Sequence, residues 1–404
     1  MSSVVIIGAG HAGFQCAAAL RQQAFEGDVT LIGDEGHLPY QRPPLSKGYL
    51  LGNVRKDDLA FRAADFFDTH RIRRLTGSVE GIDRTAQRVH LPSGETVGYD
   101  HLVLATGSRP RSLALPGAEL DHVIALQTLD DADRLRDALR TSTHTVVIGA
   151  GFIGLEFASS ARSFGSEVSV VDVADRPMAR VLSRQASELF ADYHRSEGTQ
   201  LLMQTQVEAF ERTEGRATAV LTADGRRLPA DLIVVGVGAV PNCELARQCG
   251  LAVDNGVVVD ASHVTSDPCI SAIGDIAQFP HARTGKPIRL ESVQNATDQA
   301  RAVASRLAGR VVPPYAAVPW FWSDQGAFKL QIAGLRPEHA EHVLIGDARS
   351  FSVLCVADGE LCAVESVNRP ADHMIARKLL GKRTPLTPDQ ALHPAFFLKT
   401  LANP

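Results

Sequence analysis

The sequence predicts an α/β fold in which two Rossmann-like domains, the second inserted in the first, are followed by a C-terminal α+β domain. A strand, a glycine-rich turn and a helix occur twice along the chain. Each copy leads into a β-meander and then a buried strand, and from Trp320 short strands replace this alternation. We therefore expect one domain at 1–109 with 243–315, a second at 110–242 and a third at 316–404.

The first copy begins with an apolar strand at residues 4–7, which enters a glycine-rich turn at 8–13. A helix of small residues follows, and a second strand at 29–32 ends at Asp34 and Glu35. Glycines in such a turn let the helix amides meet a pyrophosphate that a Cβ would exclude, and the acid can accept hydrogen bonds from a ribose.

The second copy repeats this order with a strand at 146–148, a turn at 149–154 and a strand at 168–171 that ends at Asp172. The offset between the first glycines of the two turns is 149 − 8 = 141 residues. A lone G-x-G-x-x-G motif is weak, because such glycines can serve packing alone. Two copies with strand, helix and acid predict two dinucleotide-binding sites.

Each copy continues in the same way. Residues 79–97 and 207–228 have the turns and short alternating segments of a β-meander. Buried strands that stop at glycine follow at 102–107 and 232–238. The duplication therefore extends beyond the glycine turns to the whole supersecondary unit.

Between the copies, Thr128 and Asp131 predict a capped helix that packs or links and carries no chemistry. In the C-terminal region a helix is expected at 370–380, because Pro370 suits the start of a helix and Gly381 its end. Strands are expected there at 329–333, 342–345, 351–356 and 361–367, the last two joined by an Asp358-Gly359 turn.

The composition excludes several classes of function. The chain of 404 residues has a net charge of −5 and a pI near 6.3, so we expect neither nucleic acid nor a membrane surface as partner. No signal peptide or membrane-spanning segment is expected, and the default location is the cytoplasm. Six cysteines without C-x-x-C or metal-ligand spacing suit reduced thiols, and we expect no metal site.

Five stretches carry a resemblance to a known family: 39–47 (PYQRPPLSK), 105–107 (ATG), 273–276 (IGDI), 291–295 (ESVQN) and 319–325 (PWFWSDQ). Together with the two nucleotide-binding units, they resemble the glutathione-reductase-like flavoproteins. More closely, the chain is similar to the NADH-dependent, FAD-containing ferredoxin reductases of cytochrome P450 and aromatic-ring dioxygenase systems.

The resemblance implies that the first glycine turn binds FAD and the second binds NADH. The FAD residues it implies are Gly8, Gly10, Ala12, Gly13, Asp34, Glu35, Arg42, Pro44, Lys47, Val79, Ala105, Thr106, Gly107, Arg109, Gly274, Asp275, Glu291, Ser292, Val293 and Trp320. The NADH residues are Gly149, Gly151, Phe152, Ile153, Gly154, Glu156, Asp172, Arg180, Val237 and Gly238. Without the resemblance, Asp275 could simply be a turn residue after a buried strand.

Three residues are candidates for catalysis: Lys47, Glu156 and Trp320. In the family, a lysine at the position of Lys47 stabilises the charge of the reduced flavin and pairs with an acid at that of Glu156. The alternatives are a surface lysine and an exposed helix glutamate. The family sets an aromatic pair beside the flavin and the docking face, which corresponds to Trp320 and Trp322, although core packing is the commoner role of tryptophan.

Asp172 predicts a preference for NADH, because a carboxylate accepts the free 2′-hydroxyl and repels the 2′-phosphate of NADPH. The nearby Arg176 leaves tolerance of NADPH open. If Asp172 merely ended a strand, its repeated placement after a glycine turn would be unexplained.

The loop at 42–47 contains no cysteine, unlike the disulfide, peroxide and CoA-disulfide reductases of this fold. A flavin without a protein thiol must pass its electrons to an external acceptor, and the resemblance implies a [2Fe-2S] ferredoxin. Alternative functions are a rubredoxin reductase, an NADH oxidase and a signalling flavoprotein similar to apoptosis-inducing factor. Candidate docking charges for an acidic ferredoxin are Arg301, Arg306, Arg310, Arg377, Lys378, Lys382 and Arg383, unless these only form solvated helix faces.

Overall fold

The computed structural model describes residues 2–393 and 395–402. The described chain divides into two compact units. The first unit contains 2–42, 56–109 and 239–317, and the second contains 43–55, 110–238 and the remainder from 318 onward. The segment Pro43–Arg55 is therefore part of the second unit, although it lies within the sequence of the first.

The first unit is built on a parallel sheet of five strands. In spatial order they are Ile270–Ala272, His101–Leu104, Ser3–Ile7, Asp28–Gly33 and Ile72–Thr76. Near-continuous apolar runs suit strands that are covered on both faces. The helices His11–Gln22 and Val293–Leu307 pack against one face through alanines and Leu20.

The other face of this sheet is covered by the predicted first meander, which is confirmed as Gly81–Asp83, Arg88–His90 and Thr96–Gly98. A small sheet contains Val253–Asp254, Gly256–Val258, Ala277–Pro280 and Pro287–Ile288. The chain leaves and re-enters the unit through strands Ser108–Pro110 and Ala239–Pro241. Short helices are Ala64–Thr69 and Glu244–Gln248, with 3-10 turns at Lys56–Leu59 and Gly274–Ile276.

The second unit contains a parallel sheet of five strands, four of which have the same order as in the first sheet, while the fifth, at the edge, precedes them in the sequence instead of following them. The five strands are Val123–Ala125, Leu232–Val235, His144–Ile148, Glu167–Val171 and Thr199–Leu202. The helices are Leu129–Leu139, Phe152–Ser163 and Arg184–Ser196, and the meander is Val207–Thr213, Arg216–Thr222 and Arg227–Pro229. The predicted duplication is therefore confirmed, as is the capping box between Thr128 and Asp131.

The C-terminal part of the second unit is an antiparallel sheet. Its order is Trp320–Gln325, Phe328–Gly334, Glu360–Val367, Ser350–Ala357 and Glu341–Asp347. The four predicted strands are confirmed, and Trp320–Gln325 adds a fifth. The predicted helix is present as Pro370–Leu380, followed by Pro388–Leu392 and the turn Leu398–Ala402. Pro43–Ser46 forms a 3-10 turn.

Two further features bear on function. None of the helices in the described residues is long and apolar enough to cross a membrane. All six cysteines lie in the described part of the chain and are free thiols.

Candidate functional site

The two glycine turns have the same stereochemistry. A Cβ on Gly8 would lie 2.1 Å from the carbonyl oxygen of Ala105, and one on Gly149 would lie 2.3 Å from that of Gly236. Both glycines have positive φ, +108° and +109°. Only glycine allows the chain to turn this close to the end of the neighbouring strand. The third glycine of each turn, Gly13 or Gly154, packs in the same way on the carbonyl of the first.

The middle glycine of each turn faces space instead. A Cβ on Gly10 would meet no heavy atom of the described residues within 4 Å, and one on Gly151 would meet only the Gly236 carbonyl oxygen at 3.9 Å. Each is the N-cap of its helix, and no described side chain caps either helix. Ser183 and Ser292, by contrast, cap helices in the ordinary way. The first amides of each helix are therefore uncapped and lie beside open space, so each helix start can bind a diphosphate.

Beside the first turn lies a pocket that fits the nucleoside half of FAD. Glu35 accepts hydrogen bonds from the Tyr40 hydroxyl and from Arg42. The guanidinium of Arg42 also lies 5.2 Å from the centre of the Tyr40 ring. The pocket is lined by Ala9, Gly10, Leu31, Gly33, Asp34, Glu35, His37, Leu38, Pro39, Tyr40, Arg42, Arg74, Leu75 and Thr76. The predicted Gly10, Asp34, Glu35 and Arg42 therefore line one cavity.

Asp275 follows the buried strand Ile270–Ala272 in the same unit. Its Oδ2 accepts a hydrogen bond from Ser108 Oγ at 2.9 Å. Burial, reinforced by the neighbouring Glu291, raises the pKa of Asp275 to about 6, and the Ser108 hydrogen bond opposes that rise. A desolvated carboxylate of this kind gains when a ligand hydroxyl donates to it, so the site fits the polar chain of FAD.

The other predicted FAD residues fall into three groups. Ala105, Thr106 and Gly107 follow the strand His101–Leu104. Thr106 there exchanges two hydrogen bonds of 2.8 Å with Asn242, and Arg109 forms an exposed ion pair with Glu244. Ser292 caps the helix that begins at Val293, and Glu291 precedes it. Gly274 lies just before Asp275. Ala12 is buried in the first helix, and Val79 packs on the core. Pro44, Lys47 and Trp320 belong to the second unit.

Asp172 is bonded to the second glycine turn. Its Oδ2 accepts from Ala150 N at 2.6 Å and its Oδ1 from Ala174 N at 2.8 Å. Each carboxylate oxygen has a second lone pair that can accept a ribose hydroxyl. Arg180 reaches the end of the neighbouring strand, since a Cβ on Gly238 would lie 3.6 Å from its Nη2. Six of the predicted NADH residues thus lie at the same end of this sheet: Gly149, Gly151, Asp172, Arg180, Val237 and Gly238.

Arg176 is committed to its own loop. Its guanidinium donates to the carbonyl oxygens of Ala179 at 2.9 Å and Leu182 at 3.0 Å. The side chain is 15 % exposed. The donors of the Arg176 guanidinium are therefore engaged within this loop.

The acids after the two second strands are not at equivalent positions. Ile7 pairs with Ile32, and Ile148 pairs with Val171. Gly33 is thus the counterpart of Asp172, and Glu35 lies two residues further on. The similar placement seen in the sequence does not extend to the strand register.

Lys47 and Glu156 form the centre of a buried polar cluster. Lys47 Nζ donates to Glu156 Oε1 at 2.7 Å, and the glutamate is 6 % exposed. Glu156 Oε1 also accepts from Ser323 Oγ at 2.8 Å and from the Asp324 amide at 3.1 Å, and the Ser46 hydroxyl donates to Oε2. The alternatives of an exposed lysine and an exposed glutamate are therefore wrong.

The segment that carries Lys47 is anchored to the helices of the second unit. Ser160 Oγ donates to the Ser46 carbonyl oxygen at 2.9 Å. The Tyr49 hydroxyl donates to Asp133 Oδ1 at 2.5 Å, and Arg136 lies 4.7 Å from the centre of the Tyr49 ring. These contacts fix the backbone on both sides of Lys47.

Trp320 lies in an aromatic and basic cluster. Its ring centre is 5.8 Å from that of Trp322, and the Arg377 guanidinium lies 4.6 Å from the Trp320 ring. At the start of the helix Phe152–Ser163, the ring centres of Phe152 and Phe321 are 4.6 Å apart, and Ile153 is 50 % exposed.

The candidate docking charges do not all lie at the surface. Arg377, Lys378, Lys382 and Arg383 are exposed in the second unit, and Arg301 and Arg310 in the first. Arg306 is half-buried and donates to Ser271 Oγ at 2.6 Å. Its inclusion among the docking charges was wrong, because its guanidinium is used inside the protein.

Sequence reasoning missed several partners of the site. Ser46, Ser323 and Asp324 lie in the quoted stretches 39–47 and 319–325, so the signal was their position beside Lys47 and Trp322. Ser108, Tyr49 and Asp133 had no such signal, because their partners are distant in sequence. The described residues contain no group of three or more side chains that could hold a metal ion.

The comparisons with known proteins cover the whole chain. The model of the pyridine nucleotide-disulphide oxidoreductase family matches residues 2–300, and the reductase C-terminal model matches 320–402. Rhodocoxin reductase of Rhodococcus erythropolis is 49% identical over 98% of this chain and 93% of its own. Putidaredoxin reductase CamA of Pseudomonas putida is 40% identical over 96% of this chain and 93% of its own.

Two solved structures are closely similar to this protein. A ferredoxin reductase for the CYP199A2 system from Rhodopseudomonas palustris has a TM-score of 0.97 and 48% identity, covering 100% of both chains. The covalent putidaredoxin reductase–putidaredoxin complex gives a TM-score of 0.96 and 39% identity, covering 99% of this chain and 98% of that one.

Proposed function

We propose that this chain, which belongs to the pyridine nucleotide-disulphide oxidoreductase family and carries the reductase C-terminal domain, is an NADH-dependent ferredoxin reductase. The observation that carries the proposal is the pair of uncapped helix starts, each with a middle glycine facing open space. Two such sites suit two dinucleotides, FAD and NADH. The relatives named above are reductases of small redox proteins.

The first unit holds FAD. Gly10 leaves room for the diphosphate at the start of the helix His11–Gln22, and Glu35 accepts hydrogen bonds from the ribose. Asp275 accepts from the hydroxyls of the chain that leads to the ring. Held by these residues, FAD would supply a hydride acceptor that can release its electrons singly.

The second unit holds NADH at Gly151, Asp172 and Arg180. The carboxylate of Asp172 accepts the 2′-hydroxyl and repels a 2′-phosphate. Because Arg176 donates to carbonyl groups of its own loop, it does not offset that repulsion. NADH is therefore the preferred donor.

Lys47 provides the positive charge that stabilises the electrons arriving with the hydride. Its ammonium is fixed by Glu156, and Glu156 is itself held by hydroxyl groups of Ser46 and Ser323. A fixed charge needs no reorganisation when the reaction occurs, which is the condition for electrostatic stabilisation of a transition state.

The electrons leave to a [2Fe-2S] ferredoxin of a cytochrome P450 or ring-hydroxylating system. No cysteine occurs between 17 and 242, so the loop at 42–47 offers no thiol to receive them. The docking charge for an acidic partner comes from four exposed residues, Arg377, Lys378, Lys382 and Arg383, the first of which lies over the Trp320 ring.

The test is an anaerobic titration of the yellow protein with NADH, followed by a [2Fe-2S] ferredoxin. The flavin absorbance should bleach with NADH, bleach poorly with NADPH, and return when the ferredoxin is added. A reduced form that ignores the ferredoxin would favour a signalling protein. Rapid reoxidation by air alone would favour an NADH oxidase, and a colourless protein that does not take up FAD would contradict the proposal.

The proposed location is the cytoplasm. Six free thiols suit a reducing compartment. Activity confined to the membrane or periplasmic fraction of the native host would contradict this.

A further inference from the structure

A buried carboxylate in the C-terminal sheet contacts the nucleotide-binding part of the second unit. Glu365, on the strand Glu360–Val367, is 1 % exposed. Its Oε1 accepts from the Ser183 amide at 2.8 Å and its Oε2 from Ser183 Oγ at 2.6 Å. Ser183 is the N-cap of the helix Arg184–Ser196. Both oxygens of Glu365 are therefore used on a single residue at the start of that helix.

Burial raises the pKa of Glu365, and the hydrogen bonds from Ser183 and two nearby arginines oppose that rise. Arg336 Nε lies 4.0 Å from Glu365 Oε1, and Arg176 contributes a second neighbouring positive charge. The amide end of the helix favours a negative charge at the same place. A buried ion pair is often no more stabilising than apolar residues of the same volume. What the two hydrogen bonds to Glu365 supply is a defined geometry at Ser183.

The geometry that it defines is that of the loop 173–183. This loop begins after Asp172, contains Arg180 and ends at Ser183, where Glu365 holds it. Its middle is held at Met178, whose amide donates to the Ala150 carbonyl oxygen at 2.9 Å. Ala150 belongs to the second glycine turn.

The same loop is constrained from the C-terminal sheet at a second point. Gln325 Nε2 donates to Met178 Sδ at 3.5 Å. Met178 has a φ of +50°, which is strained for a side chain of this size and persists only where the surroundings fix it. Two residues of the C-terminal sheet, Gln325 and Glu365, thus determine the path of the loop.

We propose that Glu365 is a positioning residue for NADH: from the C-terminal domain it fixes the loop 173–183, which begins beside Asp172 and carries Arg180. This inference rests on the proposed NADH-dependent function. It makes the C-terminal domain a determinant of affinity for NADH, in addition to its contacts with Glu156. Without Glu365 the loop must be ordered when NADH binds, and affinity falls by that cost.

The experiment compares Glu365→Ala and Glu365→Gln in the full-length, FAD-loaded protein. Glu365→Ala should raise the KM for NADH and the calorimetric Kd for NAD⁺ about 10-fold, since hydrogen bonds to charged groups are lost. Its kcat at saturating NADH should stay within about twofold, because only binding is affected. Glu365→Gln can still accept from the Ser183 amide, so it should recover most of the affinity.

The matched control is Ser352→Ala, a buried residue of the same sheet that donates to Asp372 at 2.9 Å rather than contacting the loop. It should lower thermal stability without changing the KM for NADH. A folded Glu365→Ala protein with an unchanged Kd for NAD⁺ would overturn the proposal. If that variant does not fold, Glu365→Met, which keeps the volume but accepts no hydrogen bond from Ser183, decides: an unchanged KM there overturns the proposal equally.

The two proposals fail in different ways. Wild-type protein that NADH does not reduce contradicts the reductase function itself. Wild-type protein that turns over normally, beside a Glu365→Ala variant of equal NADH affinity, contradicts only the role of Glu365.

Discussion

Replacing Glu156 by glutamine tests whether a fixed Lys47 speeds electron transfer from NADH. The substitution keeps the volume and removes the charge. Glu156 accepts four hydrogen bonds, including one of 2.7 Å from Lys47 Nζ. In the variant, the remaining acid near Lys47 is Asp324, at 3.9 Å from Nζ.

The expected effect follows from the lost charge-assisted bond. A hydrogen bond to a charged group contributes about 1.5–3 kcal/mol. Lys47 is 18 % exposed, so water recovers little of that loss. With about 1.4 kcal/mol for each factor of ten, reduction of the flavin by NADH should slow about 10- to 100-fold. The Kd for NADH should change far less, because Asp172 and the glycine turn are untouched.

The assay is anaerobic stopped-flow bleaching of the flavin at several NADH concentrations, which separates the limiting rate from the Kd. Glu167→Gln provides the control, since Glu167 is 80 % exposed and pairs only loosely with His144 at 3.6 Å. That variant should match the wild type. The reasoning is refuted if Glu156→Gln reaches the wild-type limiting rate while folded and loaded with FAD.

Three further predictions concern the nucleotide turns, docking and pH. Gly10→Val should give folded, colourless protein, and Gly151→Val should give yellow protein that NADH does not bleach. In each variant the new side chain fills the space in front of an uncapped helix. Absorbance spectra report the bound flavin, and circular dichroism reports folding. Arg377→Glu should lower kcat/KM for an acidic ferredoxin about 10-fold at low salt, but leave ferricyanide reduction unchanged. Burial lowers the pKa of His263 from 6.5 to about 4, so its contribution to stability is complete above pH 6.5 and is lost as the pH falls towards 4. That loss is about 3 kcal/mol, and His263→Asn should flatten the pH dependence of urea unfolding by this amount.

Local patterns were sufficient for much of the fold. The helix Pro370–Leu380 has the predicted bounds, because proline and glycine define its ends within the sequence itself. The capping box of Thr128 needs only residues three apart. The glycine turns are equally local, and their repetition along the chain showed that the unit is duplicated.

Contacts between distant residues could not be predicted in the same way. Ser46 and Ser323 lie 110 and 167 residues from Glu156 in the sequence. No periodicity or spacing marks a serine as the partner of a distant carboxylate, and the Lys47–Glu156 pair itself came only from the family resemblance. The same applies to Glu365, which reads as one polar residue in a strand until the sheet is folded against the helix that Ser183 begins.

The two glycine turns differ at a position that the glycine motif does not specify, directly before the third glycine. Ala12 and Ile153 occupy the same position of their helices, yet Ala12 is 7 % exposed and Ile153 is 50 % exposed. The first turn opens beside a pocket lined by residues of its own unit, which suits a cofactor that stays bound. The second lies beside exposed side chains, which suits a substrate that must enter and leave at each turnover. Besides its own contacts through Arg176 and Met178, the loop 173–183 is held from the C-terminal sheet by two residues, Glu365 and Gln325. Loss of either residue should therefore weaken NADH binding while FAD remains in place.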